Sequence, residues 1–238
     1  MAPSSKHDVV YFMKECDKNE EFTYSVRSVE ANFPHRKIWV YGGLPHNMQF
    51  ENYVGVQQLG RTKWERTTNM LKKIALNDDI TEDFFLFNDD FFVMHPVKNI
   101  KPYYNGDLYK RIVNIENRNN YRTSPYSMML RKTANELDSR GLGCLNYAVH
   151  MPMLVNRKKI LEVLAEFPNC PMFRALYGNY CKIGGEFKYD VKIYDNTKEA
   201  VNKESVFLST DDAAWRKNTA GVTSYIKESF PNKSKFEL

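Results

Sequence analysis

Two adjacent carboxylates follow directly on a run of apolar residues. The run is Phe84-Phe85-Leu86-Phe87, and the polar triad Asn88-Asp89-Asp90 comes immediately after it. A buried strand that ends in carboxylates brings negative charge to the edge of a core, which is costly unless a cation lies beside it. A divalent ion with oxygen ligands fills that role and commonly holds phosphates as well. We therefore predict a divalent metal site at Asp89 and Asp90, with Asn88 in the binding site of a phosphorylated substrate. The alternative interpretation is a tight turn.

A second Asn-Asp-Asp triad occupies residues 77–79. It lies between a predicted helix and a predicted strand, and further acidic residues follow it. Asn and Asp favour turns because their side chains form hydrogen bonds with the nearby backbone. We interpret this triad as a solvated turn, so Asp89 and Asp90 are the pair with chemical interest.

His150, Asp211 and Asp212 are candidates for proton transfer. His150 lies in an apolar stretch that ends at Pro152, where it is either a general base or a hydrogen-bonded core residue. Asp211 and Asp212 follow the apolar run 206–208, so the pattern of strand and acids recurs there. An N-cap before a helix is the alternative for that acidic pair.

Cations that could hold phosphates occur on two predicted helices and further along the chain. Arg27 lies on the first of these helices, and Lys73 lies on the second together with Arg66 and Lys72. Arg174 lies in the second half of the chain. Each of these residues could instead be an ordinary solvated surface charge.

The spacing of apolar residues predicts the elements that must position these side chains. Strands and helices alternate in the first half, which is typical of an α/β fold with a mixed, mostly parallel sheet flanked by helices. The segment 101–122 is polar and tyrosine-rich and shows no clear period. The predicted strands are 8–12, 37–41, 54–59, 84–87, 188–194 and 205–208. The predicted helices are 20–32, 64–76, one starting at Ser124-Pro125, 156–167, a short one after Pro171, and 219–230.

Composition limits the class of protein. The 238 residues suffice for one large domain or two small ones. The net charge of +5 suits a phosphate-bearing ligand or a polyanion without reaching the charge of a typical nucleic-acid-binding protein. The four cysteines form no Cys-x-x-Cys pair, so we expect reduced thiols, no zinc and a cytoplasmic location. The polar start, residues 1–8, predicts no signal peptide, and no apolar run predicts a transmembrane segment.

Four segments of the chain resemble regions of the Stealth proteins, in the family's order. They are Asp8 to Tyr11, then Asn19 to Glu30 continuing to Asn88-Asp89-Asp90-Phe91-Phe92, then His150-Met151-Pro152 to Phe173-Arg174, and finally Phe230 to Glu237. Stealth proteins are sugar-phosphate transferases with a nucleotide-diphospho-sugar (GT-A-like) core. One departure is the segment Phe12 to Cys16, where the family usually continues with Thr-Trp-Val and a loop that contains Gly-Asp.

The resemblance implies one GT-A-like catalytic domain over residues 1–238. About residues 1–100 would bind the nucleotide sugar and the metal, and 101–238 would form the acceptor side. It implies a UDP-sugar donor, Mg²⁺ or Mn²⁺ at Asp89 and Asp90, and functional roles for Arg27, His150 and Arg174. It also favours a site role for Asp211 and Asp212.

The expected reaction is transfer of a glycosyl unit to an acceptor hydroxyl on a glycan or another polymer. We favour glycosyl transfer because the usual first-region loop is missing. Two alternatives stay open: a Stealth-type hexose-1-phosphate transfer, and a module that binds glycan or nucleic acid without turnover. A nucleic-acid acceptor, such as a modified DNA base, is a further version of the enzyme.

Overall fold

The structure is a computed structural model that describes residues 6–118 and 120–238. Residues 1–5, which contribute to the prediction of no signal peptide, lie outside the described residues. The strands are β1 Asp8–Met13, β2 Ile38–Gly42, β3 Tyr53–Gly55, β4 Asp83–Phe87, β5 Phe91–Val93, β6 Tyr103–Tyr104, β7 Met153–Asn156, β8 Glu186–Phe187, β9 Lys192–Ile193 and β10 Phe207–Thr210. The helices are α1 Glu20–Asn32, α2 Lys63–Ala75, α3 Leu108–Arg118, α4 Pro125–Asp138, α5 Arg157–Glu166, α6 Phe173–Tyr180, α7 Asp212–Lys217 and α8 Val222–Ser229, with a 3-10 turn at Thr219–Gly221.

The main sheet has five strands in the order β3-β2-β1-β4-β7. The first four are parallel, and β7 pairs antiparallel with β4. The predicted α/β class with a mixed, mostly parallel sheet flanked by helices is confirmed. From β1 the chain moves outward to β2 and β3, and α2 then returns it to β4 on the other side of β1. The carboxyl ends of β1 and β4 therefore form the crevice at a topological switch point, where open α/β sheets bind ligands.

Alternate residues of the strands face two separate helical layers. Val9 and Tyr11 of β1 pack with Phe22 and Val26 of α1 in one core. Val10 faces the opposite side, where the core includes residues of α2, α4, α5 and α6. Because both faces are covered, the central strands are apolar throughout, as Phe84 to Phe87 illustrate.

A second sheet of three strands, in the order β5-β10-β9, begins immediately after β4. Residues 88–90 join the two sheets, so Asp89 and Asp90 lie at their junction. Helices α7 and α8 cover the small sheet, where Phe92 stacks on Trp215 with ring centroids 5.5 Å apart. A third, two-stranded sheet pairs β6 with β8.

The predicted elements agree best with the structure where a residue that begins or ends a helix or turn accompanies the regular spacing of apolar residues. Helix α1 has the predicted bounds, and Ser124 and Asn156 cap α4 and α5 as expected. Residues 77–79 form the expected turn, in which the Asp79 amide donates to Asn77 Oδ1. The described part of the chain contains no helix long and apolar enough to cross a bilayer.

Several predicted elements are wrong in length or were missed. The strands at 54–59 and 188–194 shrink to Tyr53–Gly55 and Lys192–Ile193, because only short stretches there find a partner strand. Helix α3 lies in the segment without a clear period, because it buries only Leu108 and Ile112. The predicted helix 219–230 is interrupted at its start, since Ala220 has a φ of 57°.

Asp8 connects three segments at the amino edge of the main sheet. Its carboxylate is fully buried and accepts two hydrogen bonds of 2.8 Å from Arg36. It also accepts from the Trp39 indole at 3.0 Å and from the backbone amides of Lys37 and Thr81. Burial alone raises the pKa of Asp8, but these donors outweigh it and hold the pKa below the ordinary value of 3.8.

We expect this carboxylate to make the fold sensitive to acid. Since its folded-state pKa is lowered, the stabilisation is present above about pH 4 and is lost as pH falls through the folded-state pKa. Asp8→Asn should lower the free energy of unfolding at pH 7 by about 3 kcal/mol and flatten its pH dependence between pH 5 and pH 2. Urea denaturation across that range measures both effects. Asp78→Asn is the matched control, because the Asp78 side chain is 96% exposed in its ion pair with Arg157. An unchanged acid limb in Asp8→Asn would refute this account.

Candidate active site

A cleft of about 820 Å³ opens at the carboxyl ends of β1 and β4. The connection from β1 to α1 forms one wall, and α2 forms another. Residues 88–90 lie on its floor, and later segments contribute His150, Lys192 and the start of α7. The lining side chains include Phe12, Met13, Lys14, Cys16, Lys18, Asn19, Glu20, Glu21, Gln58, Lys63, Arg66, Thr67, Met70, Asn88, Asp89, Asp90, His150, Lys192, Asp212, Trp215 and Arg216.

Asp89 is held by the residue that caps α1. The Asn19 side-chain amide donates to Asp89 Oδ2 at 2.7 Å, while its oxygen accepts from the Phe22 amide at 2.9 Å. Burial, and then the charge of Asp90, raise the pKa of Asp89 above its ordinary value. The site therefore favours a cation beside this carboxylate.

Asp90 is held from the opposite side by two strands of the small sheet. Lys192 Nζ lies 2.6 Å from Asp90 Oδ2, and Ser209 Oγ donates to the same oxygen at 3.2 Å. The other oxygen, Oδ1, is buried and has no hydrogen-bond partner among the residues that the structure describes. An unpartnered buried carboxylate oxygen at the floor of a cleft is a free ligand position.

The chemistry of these two carboxylates fits a divalent ion. Asp90 Oδ1 is available, and a cation would remove the repulsion that raises the pKa of Asp89. In the described residues no group of three or more His, Cys, Asp or Glu side chains could hold a metal by itself. Mg²⁺ typically takes one or two carboxylates and completes its shell with water and substrate phosphates. Asp89 and Asp90 therefore suit an ion that arrives with a phosphorylated ligand.

Glu21 and Asp212 add negative charge at the same cleft. Burial, reinforced by Asp90, Asp89 and Asp212, raises the pKa of Glu21 to about 7, although Thr210 donates a hydrogen bond to it. Asp212 is exposed at the start of α7 and lines the cleft. Asp211 is committed elsewhere: it caps α7 by accepting from the Ala214 amide at 2.6 Å. The capping alternative thus describes Asp211, and Asp212 is the member of that pair that lines the cleft.

His150 forms a dyad with Asp190 at the cleft. Nδ1 of His150 lies 2.9 Å from both oxygens of Asp190, and the backbone amide of His150 donates to Asp190 at 3.1 Å. Burial acts to raise the pKa of Asp190, but the hydrogen bonds and charge of His150 lower it overall, so Asp190 is ionised. An ionised carboxylate only accepts, so Nδ1 carries a proton and Nε2 is the nitrogen free to accept one.

Arg174 lies beneath the floor of the cleft. It donates to the carbonyl of Met151 at 2.7 Å and to that of Leu86 at 3.3 Å, and its guanidinium lies 5.2 Å from the ring centroid of Phe91. Burial lowers its pKa to about 10 despite the nearby charges of Asp90 and Asp190. Arg174 is not among the residues that line the cleft, and its hydrogen bonds tie the end of β4 to Met151.

Arg27 and Lys73 also lie outside the cleft lining. Arg27 forms a bidentate ion pair with Glu237, at 2.7 and 2.6 Å, and donates to the Phe230 carbonyl at 2.9 Å. In this position its guanidinium holds the C-terminal segment against α1. Lys73 is exposed on α2, and the cations from that helix that line the cleft are Lys63 and Arg66.

Four residues that build the site were absent from the sequence prediction: Asn19, Glu21, Asp190 and Lys192. The helix-start pattern of Asn19-Glu20-Glu21 could have indicated an N-cap beside the acidic triad. The partners of Asp190 and Lys192 are 40 and 102 residues away in sequence, so no local pattern indicates them.

No protein-family model and no curated protein matches this chain. The chain is similar to solved structures of the galactosyltransferase LgtC, one of them a complex with donor and acceptor sugar analogs and another an active-site mutant. In both, identity is 12% and the alignment covers 96% of this chain and 98% of that chain, with a TM-score of 0.49. A likeness of that degree carries no argument about this chain.

The raised pKa of Glu21 predicts a pH dependence opposite in sign to that of Asp8. Because the folded-state pKa is about 7 against an ordinary 4.5, its contribution to stability is present below about pH 4.5 and is lost as pH rises through 7. Glu21→Gln should therefore recover about 1–2 kcal/mol of the stability lost between pH 5 and pH 8, allowing for the part of the side chain that water reaches. Urea denaturation in buffer with EDTA measures it.

Glu20→Gln is the matched control for that experiment. Burial acts to raise the pKa of Glu20, but Lys227 and Trp215 lower it overall, so removing its charge should not relieve the loss at high pH. Equal behaviour of the two variants between pH 5 and pH 8 would contradict the assignment.

Proposed function

We propose that this chain is a metal-dependent transferase that moves a glycosyl unit from a nucleotide-diphospho-sugar to an acceptor hydroxyl. The observation that carries the proposal is one cleft at the switch point that is lined by both the Asp89–Asp90 pair and His150, which Asp190 holds from behind the lining. The first is a site for a cation and phosphates, and the second is a poised base. A binding module without turnover has no need for a histidine oriented by a partly buried carboxylate.

The proposed donor position follows from where charge lies. Lys14, Lys18, Lys63 and Arg66 line the side of the cleft next to β1 and α2, where a nucleoside diphosphate would meet cations. Asp89 and Asp90 would hold Mg²⁺ or Mn²⁺ with the diphosphate, which places the donor in the half formed by residues 1–100. The ion supplies charge that stabilises the phosphate leaving group. We propose a UDP-sugar as donor and a GT-A-like relationship for the domain, both implied by the resemblance to Stealth proteins.

The dyad supplies the proton transfer. An acceptor hydroxyl attacks the anomeric carbon as the bond from that carbon to the phosphate oxygen breaks, and Nε2 of His150 takes the hydroxyl proton. Asp190 keeps Nδ1 protonated and stabilises the imidazolium that forms. Asp212, exposed at the rim, is the alternative base. Residues of the 101–238 half thus act on the acceptor, which we propose to be a glycan or another polymer.

Hexose-1-phosphate transfer is the second candidate, and one observation favours it. His150, from the third segment that resembles the Stealth proteins, lines the same cleft as Asp89 and Asp90, from the second. In this reaction the acceptor hydroxyl attacks the phosphorus that bears the sugar, the bond between the two phosphates breaks, and a nucleoside monophosphate leaves. The same base and the same carboxylates serve both reactions.

The released nucleotide decides between these reactions. Incubation with a panel of UDP-, GDP-, ADP- and dTDP-sugars, Mn²⁺ and glycan acceptors should release a nucleoside diphosphate from one of the donors. Release of a monophosphate would establish sugar-phosphate transfer instead. Absence of release from every donor, with acceptors present, would leave the non-catalytic glycan- or nucleic-acid-binding module. A nucleic-acid acceptor would be recognised by a steep salt dependence of acceptor binding.

Variants connect that activity to the cleft. Asp90→Asn and His150→Gln should each lower turnover by about 100-fold or more, because one removes charge stabilisation and the other removes the base. Arg27→Gln is the control, because Arg27 does not line the cleft although the sequence made it a candidate for donor binding. This variant should lower thermal stability but leave the turnover of the folded fraction unchanged. Equal loss of turnover in Arg27→Gln would place the donor site elsewhere.

A further inference from the structure

The small sheet aligns Lys192, Ser209 and Asp90 by strand register. Ser209 pairs with Lys192 across the parallel β10–β9 ladder and with Phe91, which follows Asp90, across the antiparallel β10–β5 ladder. The three side chains come from segments 102 and 119 residues apart and meet at one carboxylate oxygen. The tertiary structure therefore fixes this contact, unlike the contact of a flexible charged side chain on the surface.

Lys192 differs from the other lysines that line the cleft. The Lys192 side chain is 14% exposed and the Asp90 side chain is 16% exposed, whereas Lys14, Lys18 and Lys63 are exposed. The Lys192 Nζ lies 2.6 Å from Asp90 Oδ2, so the two largely buried charges form an ion pair. A charged amine with so little exposure to water needs an anionic partner.

The cleft also has more negative charge than Lys192 can neutralise. Asp90, Asp89 and Asp212 lie near Glu21, whose pKa is raised by burial and then by the charges of these three carboxylates. Lys192 contacts Asp90 through Oδ2 alone and leaves Oδ1 without a partner. The same carboxylate thus has one oxygen for a tethered cation and one for a cation from solution.

We propose that Lys192 is a tethered counter-cation that holds Asp90 when no divalent ion is bound and contacts the donor's diphosphate when one is. In the first state its ammonium competes electrostatically with a divalent ion for Asp90. In the second, the ion takes over the charge of Asp90 and frees the ammonium, on its four-carbon stem, for phosphate oxygens. The second half rests on the proposed function, and the first half does not.

Two affinities that change in opposite directions would identify this role. Lys192→Met keeps the length and the apolar stem but removes the charge. It should tighten binding of Mn²⁺ alone by about tenfold. A neighbouring opposite charge changes the proton affinity of a carboxylate by about that factor or more, and we expect a similar effect on Mn²⁺. It should also weaken binding of UDP in saturating Mn²⁺ by about tenfold. Loss of structure would weaken both. Mn²⁺ electron paramagnetic resonance and calorimetry measure the two affinities without a turnover assay.

Lys192→Arg keeps a cation and should leave both affinities near those of the natural protein. Lys188→Met is the matched control, because Lys188 packs over the Tyr103 ring at 4.8 Å and does not line the cleft. Asp90→Asn should abolish the gain in Mn²⁺ affinity when it is combined with Lys192→Met. If the natural protein binds no Mn²⁺, a gain of binding in Lys192→Met still supports the proposal.

Unchanged or weaker Mn²⁺ binding in a folded Lys192→Met variant would overturn the competition. Tighter Mn²⁺ binding with unchanged UDP binding would overturn the contact with the diphosphate and keep the competition. Neither result depends on nucleotide release, so the outcome is separate from the fate of the proposed reaction.

Discussion

The carboxylates of Asp89 and Asp90 follow directly on the buried strand β4, and the surrounding structure compensates for their charge. Asn19 donates to Asp89, Lys192 and Ser209 hold one oxygen of Asp90, and the Arg174 guanidinium lies beneath the floor. Each compensating group comes from a different element, so the position of several elements depends on these two acids. The compensation is incomplete, since one oxygen of Asp90 remains without a partner and the pKa of Asp89 remains raised.

The junction of two sheets makes this arrangement possible. A single parallel sheet would place only the ends of β1 and β4 at the crevice. Here the chain leaves β4, turns through residues 88–90 and enters the small sheet, whose register brings Lys192 to Asp90. The main sheet thus provides the switch point, and the small sheet provides the counter-charge. Stacking of Phe92 on Trp215 holds α7, and with it Asp212, at the same rim.

The carboxylates of the cleft differ in environment, and that difference separates their roles. Asp190 is kept ionised by hydrogen bonds from His150 and serves to orient it. Glu21 has a pKa near neutrality because burial and its acidic neighbours disfavour its charge. Pairs of titratable groups with pKa values pushed apart are typical of sites that transfer protons. The acid-sensitive carboxylate of Asp8 lies at the opposite edge of the sheet and stabilises the fold instead.

The sequence by itself determined the α/β class, the helix that begins after Asn19, and the acidic pair that ends a buried strand. Those features are local: apolar period, caps and turn residues act over a few neighbouring positions, and the same logic separated residues 77–79 from Asp89 and Asp90. Helix α3 escaped detection because it buries only two side chains. Only the tertiary structure decided which charged residues meet. It directed Arg27 to Glu237, made Asp211 a cap, and brought Lys192 to Asp90 and Asp190 to His150, because sheet register and sheet order act between residues far apart in the chain.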